Sequence, residues 1–320
     1  MAYELLGVAG LTVENKQFYD GLLIKRAIPN LVHSQHGVMR TIPARGGNSI
    51  EFRGLARIAG TTGALTEGTP GAALQVTFTN VAVTIQQYGK YVQLSDMVEL
   101  QSIDPVLTEV VEMFGEQMGD TLDLVHGSVV VGGTSIQYAS TAGSRAMVGS
   151  GMYLSMAEIL EAVSTLERNN ARRFDDGFFH AITHPDTKRD MMSDTTILDN
   201  WQEAAARGPD NPLFTGELGT IQGVKFFLST NADIQSSAGL SGADVYRTAF
   251  MGRDYYAVVG LEAMSARSYI VPRAQGGISD PLFMIMTVGW KAATAAVRLN
   301  NNFAVILEHN TSRSTMADMA

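Results

Sequence analysis

Asp104–Gly133, DPVLTEVVEMFGEQMGDTLDLVHGSVVVGG, is the longest stretch of this chain with a single unbroken period. Asp104 is a good helix N-cap, Pro105 suits the first helical position, and Gly132-Gly133 suits a stop. The spacing predicts one helix over 105–131, about 40 Å long at 1.5 Å per residue and well beyond the roughly 11-residue average. Val106, Val110, Phe114, Met118, Leu122, Val125 and Val129 recur at three- and four-residue steps and form an apolar stripe that must be covered.

Glu109, Glu112, Glu116, Asp120 and Asp123 follow the same steps on the other side. Like charges so spaced repel by a few tenths of a kcal/mol per pair. The strip is therefore either a solvated face that tolerates the repulsion or a face opposed by arginines of another element or another subunit. Gly115 and Gly119 weaken the helix locally and mark places where a neighbouring backbone can come close. No His or Cys joins the strip, so no metal site is expected there.

Composition bounds the rest. With 45% apolar and 17% charged residues, 320 residues can bury a real core. No run approaches the ~18 apolar residues of a membrane span, and the start lacks the basic region of an export signal. Cysteine is absent, which excludes disulfides, thiolate metal sites and cysteine nucleophiles. A formal net charge of −9 argues against a surface built for general nucleic-acid binding, though not against a local basic patch.

In chain order, residues 1–44 carry few periodic signals and read as an arm lying on something else. From Asn48 to Leu94 the period is two. Ile50 and Phe52 alternate with Glu51 and Arg53, and the return alternates Leu74, Val76 and Phe78 before shifting phase to Val81, Val83 and Ile85, which predicts a bulge or bend at Thr79-Asn80. Between them GTTGALTEGTPGAA (60–73) has little that could pack a core. This is a long two-stranded excursion that needs a partner to lie on. A second helix is expected over 155–171, with Ile159, Leu160, Val163 and Leu166 inward. Arg168, Arg172 and Arg173 close it, complementing its dipole and standing nearest in sequence to the acidic strip. Residues 174–273 mix short strands and helices. LFMIMTVGWKAATAAVRLN from Leu282 reads as a buried strand, and FAVILEH from Phe303 as its hairpin partner. The tail from Thr311 is polar.

Sites for chemistry are sparse. His33 and His36 sit on no convincing helix, and His180 and His184 bracket a strand without an HExxH pattern, so all four are read as structural. There is no GxSxG elbow, no phosphate loop and no dinucleotide fingerprint. No catalytic residue, cofactor or metal is expected, which shifts weight toward a structural protein.

The order of parts resembles the major capsid proteins of tailed bacteriophages: an N-terminal arm, an extended loop, a long spine helix, a peripheral domain, an inserted axial domain and a return to the periphery. Several runs resemble one family of these, typified by podovirus and prophage capsid proteins. They are LLIKRAIPNLVHSQHG from Leu22, IEFRGL from Ile50, LTEGTPG from Leu65, QYGKYVQLSDMVEL from Gln87, the helix from Asp104, GELGTIQGVKFFLST from Gly216 and DPLFMIMTVGWKAATAAVRLN from Asp280. The resemblance spans Gln17 to Leu307.

It implies an α+β fold with arm 1–44, extended hairpin loop 45–95, peripheral domain 96–173 containing the spine helix 105–131, axial domain 174–274, peripheral return 275–310 and a tail 311–320. It also implies a non-enzymatic shell subunit, assembled in a bacterial cytoplasm and ending in the virion. Hexamers and pentamers would enclose double-stranded DNA without sequence-specific contacts, with separate scaffolding, portal and decoration proteins and no membrane. The candidate intersubunit residues are Arg53, Arg57 and Glu67 on the hairpin, together with the acidic strip and Arg168, Arg172 and Arg173. Some members of the wider fold weld their shells through a loop lysine; no lysine lies between Lys25 and Lys90, so no such crosslink is expected. An encapsulin-like compartment and a metal-dependent hydrolase using the acidic strip are the competing readings.

Overall fold

Alternating apolar side chains and one long helical period give fourteen strands and three α-helices among the residues described. These are 31–55, 58, 60, 64, 67–68, 75–97, 106–194, 197, 220–264, 266–272, 282 and 284–313 of a computed structural model. The strands are β1 Val38–Ile42, β2 Ser49–Leu55, β3 Phe78–Thr84, β4 Gln86–Ser95, β5 Ile136–Tyr138, β6 Phe179–Thr183, β7 Thr220–Ile221, β8 Val224–Leu228, β9 Ile234–Gln235, β10 Val245–Met251, β11 Tyr256–Leu261, β12 Arg267–Val271, β13 Ile285–Arg298 and β14 Ala304–His309. The helices are α1 Val106–Val131, α2 Met156–Arg168 and α3 Pro185–Ser193. Expectations for residues 1–30, most of the hairpin tip, a helix near Trp201 and the tail from 314 lie outside the described residues.

β13 organises a five-stranded sheet. One of its edges pairs with β4 from Ile285↔Ser95 to Thr294↔Gln86, and the other pairs first with β12 and then with β11. β1 completes the sheet, parallel to β11. Even-numbered residues of β13 face α1. Val288, Trp290 and Ala292 pack with Val111, Met118 and Leu122, and the Trp290 indole N–H donates to Gln117 Oε1 at 2.8 Å. A second sheet runs β5-β14-β10-β6-β8-β7, with β9 beside β10. One core joins α2 to this sheet through Ile159, Val163 and Leu166 against Phe179, Phe226, Phe250 and Leu307. The end of α1 enters another core, where Val130 and Val131 meet Ile182, Ala249, Met251 and Ile306.

Both ends of α2 are closed by local chemistry. At its start the Glu158 carboxylate accepts from the Ser155 amide at 2.8 Å, the Ser155 hydroxyl and the Ser140 amide at 3.0 Å. At its end Asn170 takes the left-handed conformation at φ 55, the Ala171 N–H returns to the Leu166 carbonyl at 3.0 Å, and Ala171 packs on the same core as Leu166. That is a Schellman closure made with Asn, not Gly. The last carbonyls of α1 are met from outside the helix: the Tyr255 hydroxyl donates to Val130 O at 2.6 Å, and the Arg247 and Arg298 guanidiniums donate to Val131 O and Val129 O. Two cations thus sit at the negative end of its dipole.

Three expectations are corrected. β14 is not the hairpin partner of β13; it pairs with β10 and β5. The strands β10 to β11 and β13 to β14 instead form one antiparallel ribbon that bends from one sheet into the other. Tyr255 O, accepting from Leu299 and Asn300 amides, and Phe303 O, accepting from Gly252 N, hold the corner. No bulge occurs at Thr79-Asn80: β2 and β3 pair without interruption from Ser49↔Thr84 to Leu55↔Phe78, and Phe78 simply faces the opposite side, 67% exposed. Leu160, placed inward from sequence, is 46% exposed. The two sheets also draw on interleaved stretches. β11 and β12 join the sheet of β4 and β13, while β5 and β14 join that of β6, β8 and β10.

Candidate assembly interface

The hairpin β2–β3 is a two-stranded sheet of its own, hydrogen-bonded to neither larger sheet. Ile50, Phe52, Val81 and Val83 are half-buried on one face, and Ile58, Val76 and Phe78 stand exposed toward the outer end. Arg53 projects 73% exposed and reaches Glu51 of its own strand only at 3.9 Å, a pair worth well under 1 kcal/mol. Glu67 is exposed in a turn of the loop. Arg57 lies outside the described residues.

Beneath the hairpin root runs a groove of about 1000 Å³, with Phe52, Arg53 and Val81 on one side and Asn169, Arg172, Asp254 and Asn302 on the other. Two residues predicted separately, Arg53 and Arg172, therefore share one surface. Arg172 is fixed by its backbone, whose carbonyl accepts from Arg253 N at 2.8 Å. Arg173 turns elsewhere, donating to Glu167 at 2.7 Å with its guanidinium over the Phe179 ring. Arg168 is exposed at the end of α2.

On α1, Glu109, Glu116 and Asp120 are exposed and Glu112 is half-buried, but Asp123 is not part of the strip's outer surface: it is fully buried. The reason is that the second half of the helix is covered on more sides than the first. The centre of its buried face runs Val111, Gly115, Met118, Leu122, His126 and Val130, with Val110, Phe114, Val125 and Val129 half-buried beside it. From Gly119 onward the arm turn and the Ser229–Asn231 segment close over the flank that carries Asp123.

The partner of Asp123 is a histidine, not an arginine. Asp123 accepts from the His33 amide at 2.7 Å and His33 Nδ1 at 2.9 Å, and from Asn231 and Ser229 at 3.3 and 3.4 Å. Burial pushes its pKa up, but these hydrogen bonds and the imidazole outweigh burial and hold it below the usual value. One turn on, His126 Nδ1 meets the Ser34 hydroxyl at 2.7 Å and its Nε2 meets Thr294 Oγ1 at 3.0 Å. His36 Nδ1 meets His180 Nδ1 at 3.0 Å, and His180 Nε2 meets Asp176 at 2.9 Å. Sequence reasoning weighed His33 with His36 and His180 with His184, and did not single out His126. Their only signal was that LVHSQHG carries polar residues where an arm crossing a core would bury them.

Another unforeseen group is Glu308, fully buried on β14, which takes Arg145 in two hydrogen bonds at 2.9 and 2.6 Å and lies 3.3 Å from Arg247. Among the described residues no cluster of three His, Asp or Glu side chains is arranged to hold a metal, and no helix is long and apolar enough to cross a membrane.

The architecture of a hairpin projecting from a helix-backed sheet is that of tailed-phage capsid subunits. The capsid protein of cyanophage Pam1 superposes with a TM-score of 0.68 at 17% identity, covering 90% of this chain and 92% of that one. The capsid of Ralstonia phage GP4 gives 0.67 at 17%, covering 86% and 87%, and that of cyanophage P-SCSP1u gives 0.65 at 14%, covering 88% and 89%. No curated protein matches in sequence. Over residues 79–305 the sequence matches the phage capsid protein family, and the chain belongs to that family. It is a major capsid protein, a structural subunit of the virion head shell and not an enzyme.

Proposed function

We propose that this subunit forms hexamers and pentamers that close into an icosahedral head around double-stranded DNA, the hairpin of each copy lying over its neighbour. The observation that carries this is the hairpin itself. A two-stranded ribbon with Ile58, Val76 and Phe78 exposed cannot stabilise itself and needs a covering surface. On this reading residues 96–173 with α1, and the return 275–310, make the peripheral domain, and residues 174–274 the axial domain. Arg53, Arg57 and Glu67 meet the neighbouring copy, whose exposed Glu109, Glu116 and Asp120 and half-buried Glu112 offer the opposite charge. Arg168, Arg172 and Arg173 border the same contact, and Asp123 supports it from inside. Each exposed pair is weak, but a heterologous contact repeated around a ring multiplies it. Scaffolding, portal and decoration proteins are separate partners, and the DNA is enclosed without base-specific contacts.

The test is expression alone and with candidate scaffolding proteins, followed by negative-stain electron microscopy and sedimentation velocity. Rings or closed particles are expected, weakened by Arg53→Ala without loss of subunit stability. A concentration-independent monomer under every co-expression condition overturns the reading. Mature particles should give monomer bands alone on a denaturing gel.

A further inference from the structure

The turn 33–36 crosses between α1 and the seven-stranded sheet, and imidazoles carry its side-chain hydrogen bonds to both. Protonation states follow from the geometry. Thr294 Oγ1 spends its hydrogen on Val259 O at 3.2 Å, so it accepts from His126 Nε2–H, which leaves Nδ1 of His126 as a bare acceptor for the Ser34 hydroxyl. His180 Nε2–H donates to Asp176, so His180 Nδ1 accepts from His36 Nδ1–H. That leaves His36 Nε2 buried with no hydrogen-bond partner among the described residues, in a wall built by Phe174 and Phe227. A second proton on His36 would place an N–H and a charge against those rings.

We propose that the turn 33–36 is an acid-sensitive latch: it holds the arm onto α1 and β6 while His36 and His126 are neutral, and protonation of these two releases it ahead of the rest of the fold.

The charged groups around each histidine support this. His36 faces His180 on β6, Lys225 on β8 and His33 of its own turn, against a single carboxylate, Asp176, which is already engaged by His180 and Lys225. His126 faces His33 and the neutral Ser34 and Thr294, against Asp123, which is committed to His33. Burial first, then the neighbouring imidazoles, lowers His36 to about 4; burial also lowers His126 to about 4, against the pull of Asp123. A group whose folded pKa is depressed stabilises the closed form fully above the unfolded value and loses that contribution as pH falls toward the folded one. The window is therefore pH 6.5 down to 4. At pH 4.5 each histidine raises the opening equilibrium by up to about 75-fold over neutral pH. The remaining restraints on the turn are the Asp123–His33 contacts, the Tyr256 hydroxyl on the His33 carbonyl, and the five-residue pairing of β1 with β11.

The experiment is hydrogen–deuterium exchange on the full chain from pH 7.5 to 4.5, with rates corrected for intrinsic exchange, comparing peptides over 31–42 with peptides over β13. The 31–42 amides are expected to lose at least tenfold in protection and to stay less protected than β13, which falls only as far as global stability falls. His36→Gln and His126→Gln are each expected to blunt that loss. Constant protection of 31–42, protection no lower than that of β13 at every pH, or a loss that neither variant alters each overturns the proposal. Where a Gln variant fails to fold, His36→Phe keeps the aromatic packing without the titration and is read in its place, while the wild-type comparison of 31–42 with β13 stands without any variant.

Discussion

Replacing Asp123 with alanine should be among the most damaging single changes in this subunit, although from sequence it is one of five similar carboxylates. The side chain is fully buried and accepts from the His33 amide, His33 Nδ1, Asn231 and Ser229. Its loss leaves two His33 donors at 2.7 and 2.9 Å without an acceptor. Each buried unsatisfied donor costs about 1–3 kcal/mol. A total near 4 kcal/mol follows, which at an m-value of about 3 kcal/mol/M lowers the urea midpoint by about 1.3 M. Asp123→Asn keeps one oxygen and the shape, and should lose about half as much. Asp120→Ala, three positions earlier and exposed, should stay within about 1 kcal/mol. The assay is urea unfolding of the unassembled subunit at pH 7.5, followed by circular dichroism. A loss below 1 kcal/mol for Asp123→Ala, or one no larger than for Asp120→Ala, would refute the claim that this carboxylate anchors the arm.

Stability should also fall from pH 6.5 to 4, because His36, His126 and His309 are each lowered by burial to about 4 and the unfolded chain binds the protons that the folded one excludes. The slope is at most about 1.4 kcal/mol per pH unit for each histidine, read from urea midpoints across that range. Glu308→Ala should cost about 1–3 kcal/mol, by taking both hydrogen bonds from Arg145 and leaving Arg247 to Asp233. Arg145→Ala should cost less, because Arg145 is 37% exposed and Arg247 remains beside the carboxylate; paired denaturation curves give the order. Gly89→Ala should lower the melting temperature, since a Cβ there would stand 2.5 Å from Trp290 O and force β4 off β13 at a cost of about 1–3 kcal/mol; Gly143→Ala, with its nearest neighbour at 3.9 Å, should not.

The helix α1 was legible because a long run with three- and four-residue spacing has no other structure that buries it. Its rotation was only partly legible. The apolar positions Val110, Phe114, Val125 and Val129 proved to be flanks, whereas Gly115, Gly119 and His126 lie at or near the centre, because close approach of other elements is marked by small or polar residues that a hydrophobic count passes over. Period two gave the hairpin and its pairing phase. It could not say that β4 leaves the hairpin to join β13, since both partners look alike in sequence. The interface residues were legible as charges but not as neighbours. Arg53 and Arg172 are 119 positions apart and meet only because the corner at Leu299–Phe303 carries the groove wall beneath β2. The buried polar groups were least legible, as each depends on a partner more than 90 residues away in the chain, or at that distance.

The ribbon that carries β10 into β11 and β13 into β14 has a mechanical meaning. It ties the two sheets by two antiparallel backbones side by side, and α1 spans the same gap as a third member, rooted in both cores. Tension applied in the plane of a shell reaches covalent chain and paired strands before it reaches any surface contact. A subunit so built is stiff to stretching between its two sheets, so a load passed from its neighbours in the shell is carried by paired strands before it reaches either core.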